Sequence, residues 1–226
     1  MTKPKLRFSE FKGDWIKQKV SDLTDRIVEP VNIEKSTLYD QIGIRSHGKG
    51  IFHKPKVSGD EIGNKRIFWL KKDLFIVNIV FAWEQAVAKT SEREEGLVAS
   101  HRFPMYKPKD EILDLDYILF FFLTKKGKFY LELASPGGAG RNKTLGQKEF
   151  EKTKFLIPSY SEQNKIASFL TVVEDKIQKI TQKKEALTQY KKGMMQKIFS
   201  QDVRFFDENG EIFPKWEEKE LGELDR

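Results

Sequence analysis

Between Ser161 and Phe199 the chain has no proline and a single glycine, Gly193, and this stretch constrains the fold more than any other feature. Proline and glycine are the residues a helix interior tolerates least, so one long helix is expected there. Ile166, Leu170, Val173, Ile177, Ile180, Leu187, Met194 and Ile198 alternate at spacings of three and four, or their sum, with Lys184 and Lys191 filling two positions of the same register. A seam of that period asks for a helical partner. Roughly 38 residues at 1.5 Å each make a rod of about 55 Å, longer than a small domain needs for its own core. The expectation is a coiled-coil or helix-pair arm over 161–200; the plainer alternative is an ordinary long core helix.

The residues before it read as short strands and turns, giving a mixed α/β (α+β) domain over 1–160. Leu38–Ile44, Ile67–Leu70, Leu74–Phe81 and Gly96–Tyr106 are strand candidates, rich in β-branched and aromatic residues. Asp116–Leu133 reads as one helix, Ser135–Gly140 as a loop that Gly and Pro impose, and Phe155–Ile157 as a short strand stopped by Pro158. After the long helix, Trp216, Leu221, Glu223 and Leu224 repeat Trp15, Val20, Asp22 and Leu23 at a constant offset, with Phe213 and Phe11 preceding the two tryptophans. Residues 201–226 therefore read as the start of a second, incomplete repeat.

Composition narrows the chemistry. The formal charge of +7 suits a polyanionic partner without requiring one. With no cysteine there are no disulfides, thiolate nucleophiles or cysteine-based zinc sites. The most apolar run, Ile118–Leu123, is far short of the roughly 20 residues of a membrane span, and the first residues carry no apolar signal segment, so a cytoplasmic protein is expected.

Four groups are candidates for nucleic-acid contact. Arg45, His47, Lys49 and His53 lie among glycines 43, 48 and 50, a pattern that lets backbone approach phosphate while Arg and Lys supply charge or base readout. Arg141, Asn142 and Lys143 follow the glycine-rich loop. Gln85 is a carboxamide suited to adenine, and His101 with Arg102 follows Val98-Ala99-Ser100. The plain alternative for the first group is a solvated turn, and Trp83 reads as core. No third ligand joins the two histidines at a metal-binding spacing, so no metal is expected. The loop around Gly137–Thr144 lacks the glycine before lysine that a nucleotide-binding loop needs, so no NTPase is expected. Glu92, Glu94 and Glu95 read as a solvated acidic turn. No methyltransferase or nuclease pattern is present, so the chain reads as non-catalytic and without a cofactor.

Ordered motifs then resemble one family. Trp15-Ile16-Lys17-Gln18-Lys19-Val20-Ser21-Asp22-Leu23 looks like the opening of the specificity subunits of type I restriction-modification systems, and Gly96-Leu97-Val98-Ala99-Ser100 looks like their mid-domain stretch. The more specific matches lie on the helix. Pro158 through Leu170 resembles the signature P-x-x-x-E-Q-x-x-I-A-x-F-L, and Lys191 through Phe199 resembles K-K-G-L-L-Q-K-L-F.

The resemblance implies a target-recognition domain that reads part of a split site in double-stranded DNA. It also implies a conserved helix that separates recognition modules and docks modification subunits, which methylate adenine using S-adenosylmethionine; a restriction subunit joins for cleavage. Members usually carry two such domains. One domain and a beginning fit a short subunit, an interrupted reading frame or a fragment alike. A second copy would then supply the missing helix, giving an antiparallel homodimer that reads an inverted repeat. The alternative from another class is a structural or interaction protein with a basic α/β domain and a dimerisation arm.

Overall fold

The computed structural model describes residues 4, 6–137, 143–220 and 222. Two compact units divide the chain, residues 1–171 and 172–226.

The first unit is a mixed α/β domain whose centre is the apolar run Phe75–Val77, strand β8. Successive side chains of a strand point to opposite faces, so a run buried throughout must be covered twice. Its companions are β2 (Thr24–Ile27), β11 (Met105–Pro108) and β9 (Val87–Lys89), hydrogen-bonded in the antiparallel order β2-β11-β8-β9. Phe75 and Val77 face a core built with α3 (Leu115–Leu123), α4 (Lys125–Leu133) and α5 (Gln147–Lys152). Aromatic rings fill it: Phe75 stacks on Phe122 at 5.4 Å, Tyr106 meets Phe150 at 5.3 Å and Phe121 stacks on Phe155 at 4.4 Å. Ile76 faces a second core with Met105, Leu70 and Leu74, closed by Ile42 and Ile44.

The smaller pairings wrap this centre. β1 (Ile16–Lys19), followed by the helical turn α1 (Val20–Leu23), pairs with β12 (Lys154–Ile157). β3 (Leu38–Tyr39) pairs with β6 (Val57–Ser58), β4 (Ile42–Ile44) with β5 (Ile51–His53), and β7 (Ile67–Trp69) with β10 (Val98–Ser100). A capping box at Ser58 and Glu61 starts the short helix α2 (Gly59–Ile62).

Four expected elements are divided, each for a local reason. Leu38–Ile44 changes partner at Asp40, whose carbonyl accepts from Val98. Leu74–Phe81 ends at Val77, because the Asn78 side chain accepts from the Val80 amide and turns the chain. Gly96–Tyr106 is broken by a tight turn in which Phe103 N–H donates to the Ser100 carbonyl. The expected helix over Asp116–Leu133 is two helices. Thr124 ends α3 and caps α4 by accepting from Gly127 N–H, and a Cβ at Gly127 would sit 2.1 Å from the Phe121 carbonyl oxygen.

The long helix, α6 (Tyr160–Phe199), has 40 residues. Within the first unit its opening turns are bolted down. The Arg7 guanidinium forks onto the buried Glu162 carboxylate at 2.6 and 2.5 Å, and Trp15 Nε1 donates to the same carboxylate. Gln163 accepts from Asp114 N–H and donates to the carbonyls of Ile112 and Pro158, while Ala167 enters the aromatic core. Within the second unit, Phe206 and Ile212 close a hairpin, and Phe199 meets Trp216 edge-on at 5.8 Å. Of the second-repeat residues, Leu221, Glu223 and Leu224 lie outside the described residues.

Candidate nucleic-acid interface

Strand directions gather the loops that matter at one end of the central sheet. β8 arrives there at Val77 and β2 at Ile27, while β9 leaves from Val87 and β11 from Met105. The chain beyond β8 forms a 3-10 turn over Ala82–Glu84 and leaves it through Gln85 in the left-handed region. The β4–β5 turn is pinned to that feature. His47 N–H donates to the Glu84 carbonyl at 2.7 Å, Gly48 N–H to the Gln85 carbonyl at 3.1 Å, and Ser46 Oγ to the Glu84 carboxylate at 2.8 Å. Gly48 has a φ of 66°, and a Cβ there would meet Leu123 Cδ2 at 2.6 Å, so backbone and packing both require glycine.

This anchoring leaves Arg45, His47 and Lys49 exposed at the tip. The Arg45 guanidinium lies 4.7 Å over the Phe52 ring, which orients the cation without neutralising it. Arg102 joins the same end. Its carbonyl accepts from Ile79 N–H, and the Ile79 carbonyl accepts from Leu145 N–H. Two residues before Leu145, Lys143 Nζ sits 5.8 Å over the Trp83 ring, whose Nε1 donates to the Val80 carbonyl. Arg45, His47, Lys49, Lys143 and Arg102 thus fall on a chain of directly bonded neighbours. Arg141 and Asn142 lie outside the described residues.

Two candidates are committed elsewhere. Gln85 Nε2 donates to the carbonyls of Phe122 and Thr124, so its amide ties the turn to the end of α3. His53, at the far end of β5, pairs with Glu94 at 3.2 Å. The acidic turn is correspondingly not all solvated, for Glu94 is buried. Desolvation, the largest influence on its carboxyl, pushes the pKa up; hydrogen bonds from Ser91 and His53 together carry it below the ordinary value.

Charge pairing is uneven over the unit. Some lysines meet carboxylates: Lys56 with Asp40, Lys71 with Glu29 and Lys72 with Glu92, each at 3.2 Å, and Lys89 with Asp116. Among the described residues, no carboxylate pairs with Arg45, His47, Lys49, Arg102 or Lys143. Arg45, Lys49 and Arg102, exposed and without a carboxylate partner, are what a polyanion's phosphates engage.

The helix seam divides in a way its spacing does not reveal. Ile166 packs against the aromatic core, and Leu170 is half-buried. At the other end Met194 and Ile198 are half-buried, Ile198 lining a hollow with Val203, Phe205, Phe213 and Trp216. Between them Val173, Ile177, Ile180 and Leu187 are 38, 54, 58 and 57% exposed, a stripe with no cover of its own. Arg7, Trp15 and Gln163, none of them a candidate from sequence, fasten the helix start; the adjacent Glu162-Gln163 pair of the signature is the signal that marks them. Among the described residues, no group of three or more His, Asp or Glu is placed to hold a metal, and no helix is long and apolar enough to cross a membrane.

Comparison with known proteins adds an independent line. Residues 28–189 match the family model for the type I restriction modification DNA specificity domain. The chain is 29% identical over 221 residues to the type I restriction enzyme MjaVIII specificity subunit of Methanocaldococcus jannaschii, covering 94% of this chain and 47% of that protein. It spans about half the length of the curated relatives it matches. Among solved structures, the HsdS subunit from Thermoanaerobacter tengcongensis aligns with a TM-score of 0.62 at 14% identity, over 83% of this chain and 49% of that one. The type I restriction-modification S subunit from M. genitalium gives 0.57 at 16% identity, over 89% and 50%. Both share the fold: an α/β domain followed by a long helix.

Proposed function

The chain belongs to the type I restriction modification DNA specificity family, and from that premise we propose that it recognises DNA on behalf of partner subunits and performs no catalysis itself. Recognition is assigned to residues 1–160, spacing and docking to the helix over 161–200, and the beginning of a second repeat to 201–226. The modification subunits supply methylation with S-adenosylmethionine, and the restriction subunit supplies cleavage, in the cytoplasm. The chain needs no cofactor of its own. The observation that carries this reading is the set of unpaired cations held at one end of the central sheet. An interaction protein with a basic domain is not favoured, because the family match runs through both the domain and the helix.

Arg45, His47, Lys49, Arg102 and Lys143, with Arg141 and Asn142 directly before Lys143 in sequence, are assigned to the DNA face. His101 lies beside Arg102 in the turn. Gln85 and His53, both bonded internally, are assigned to shaping that face, from which they reach DNA only by exchanging those bonds. Selection from randomised duplexes tests the reading: enrichment of one short sequence is expected, and uniform, salt-sensitive binding contradicts it.

The exposed stripe at Val173, Ile177, Ile180 and Leu187 favours a homodimer in the absence of another helical partner. Antiparallel pairing keeps Lys191, Lys192 and Lys197 of the two copies apart, and a closed twofold pair avoids open-ended growth. Ile166, Leu170, Met194 and Ile198 flank that stripe and complete the same seam. Sedimentation of the wild type beside Val173→Asp/Ile177→Asp is expected to show a dimer and a monomer; a wild-type monomer at tens of micromolar contradicts self-association.

A further inference from the structure

Beyond the β4–β5 tip, three segments distant in sequence enclose an open groove on the recognition unit. Pro30 bridges Phe68, Val31 N–H donates to the Ile67 carbonyl, and His101 N–H donates to the Arg66 carbonyl. These contacts bring residues 26–33, 64–68 and 101–105 together. Arg26, Lys35, Lys65 and Arg66 line the groove with Asn32 and Asn64, and a smaller hollow sharing Arg26, Arg66 and Phe68 continues to His101. Among the described residues, Asp60 is the one acidic residue lining either. All four cations are exposed, and among the described residues none has a carboxylate partner within salt-bridge distance. The neighbouring Lys71 and Lys56, outside the groove, do pair with acids. Four uncompensated cations facing one hollow repel one another, a cost that a bound polyanion removes.

We propose that this groove is a second DNA contact, holding the sugar-phosphate backbone of duplex beside the sequence being read. The inference rests on the DNA-recognition reading and extends it. Backbone rather than bases is the target because the lining is dominated by flexible Lys and Arg on exposed segments. No side-chain hydrogen bond presets any of the four cations for bidentate base readout. The groove also lies next to the DNA face already assigned, since His101 lines its extension and Arg102, the following residue, is bonded to Ile79.

The test compares the wild-type chain, Lys65→Ala/Arg66→Ala and Asp60→Asn on a duplex selected by the wild type, over a range of salt. The double variant removes two exposed cations. It is expected to bind about tenfold more weakly near 0.1 M salt, with a salt slope shallower by about two and the preferred sequence unchanged. Asp60→Asn changes affinity in the opposite direction, strengthening binding by about threefold, so a folding defect cannot imitate the pair of results. Unchanged affinity and slope in the double variant overturn the groove assignment, as does an altered sequence preference, which marks base reading. A wild-type chain that selects no sequence fails the DNA-recognition reading itself, and the two failures are thereby told apart.

Discussion

The two units of this chain treat their apolar side chains in opposite ways. In residues 1–171, Phe75, Phe122, Phe150 and Phe155 are fully covered by neighbours on the same chain. In residues 172–226, Ile177, Ile180 and Leu187 stay more than half exposed along a helix that repeats them at the right spacing. Apolar surface closed within a chain specifies a fold, whereas a regular stripe left open specifies a partner. Charges divide less sharply: Lys56, Lys71, Lys72 and Lys89 are paired with acids, whereas Arg45, Lys49 and Arg102 at one end of the sheet are not.

Substitutions sharpen that comparison. Phe122→Ala is expected to destabilise the first unit by about 3–5 kcal/mol through lost burial and a cavity among stacked rings, whereas Ile180→Ala on the monomer should cost less than about 0.5 kcal/mol. Denaturant unfolding with a probe in each unit measures both, and equal costs would break the comparison. Next in size is Gln163→Leu. It leaves Asp114 N–H and the carbonyls of Ile112 and Pro158 without partners and should cost about 2–3 kcal/mol, read as earlier unfolding of the first unit.

Gly48→Ala should cost about 1–2 kcal/mol, because an L side chain at that φ is strained and displaces Leu123. It should also weaken DNA binding by moving Arg45 and Lys49, measurable on the same protein by duplex titration. The smallest effect concerns pH. Glu94 has its pKa lowered on folding, so its contribution is present above the unfolded value and is lost as pH falls through the folded value. Glu94→Gln should therefore show a flatter decline in stability below about pH 5 than the wild type; identical acid profiles would contradict the sign.

The long helix was legible because period and proline-free length are properties of sequence alone, and α6 ends at Phe199 as the spacing predicts. Of the short strands, β7 and β12 were legible as the apolar runs Ile67–Leu70 and Phe155–Ile157, but most others were not, because each exists through its partner: β3 and β4 are separate only since Asp40 changes neighbours. Candidate contacts followed the same divide. Arg45, His47 and Lys49 cluster in sequence and were visible, while Arg26 is far in sequence from the adjacent Lys65 and Arg66 and is brought beside them only by the pairing of residues 30–31 with 67–68. Charge type also misled, since Glu94 carries the same formal charge as Glu92 yet turns inward to Ser91 and His53.

The central claim is that one unit reads sequence while the exposed stripe of the other sets how many copies read it. Selection from randomised duplexes with the wild type beside Val173→Asp/Ile177→Asp tests both halves at once. The account predicts that the wild type enriches two inverted copies of one short motif across a fixed gap, and that the double variant enriches a single copy of that motif. Enrichment of the same bipartite site by both proteins, or of no motif by either, would contradict it.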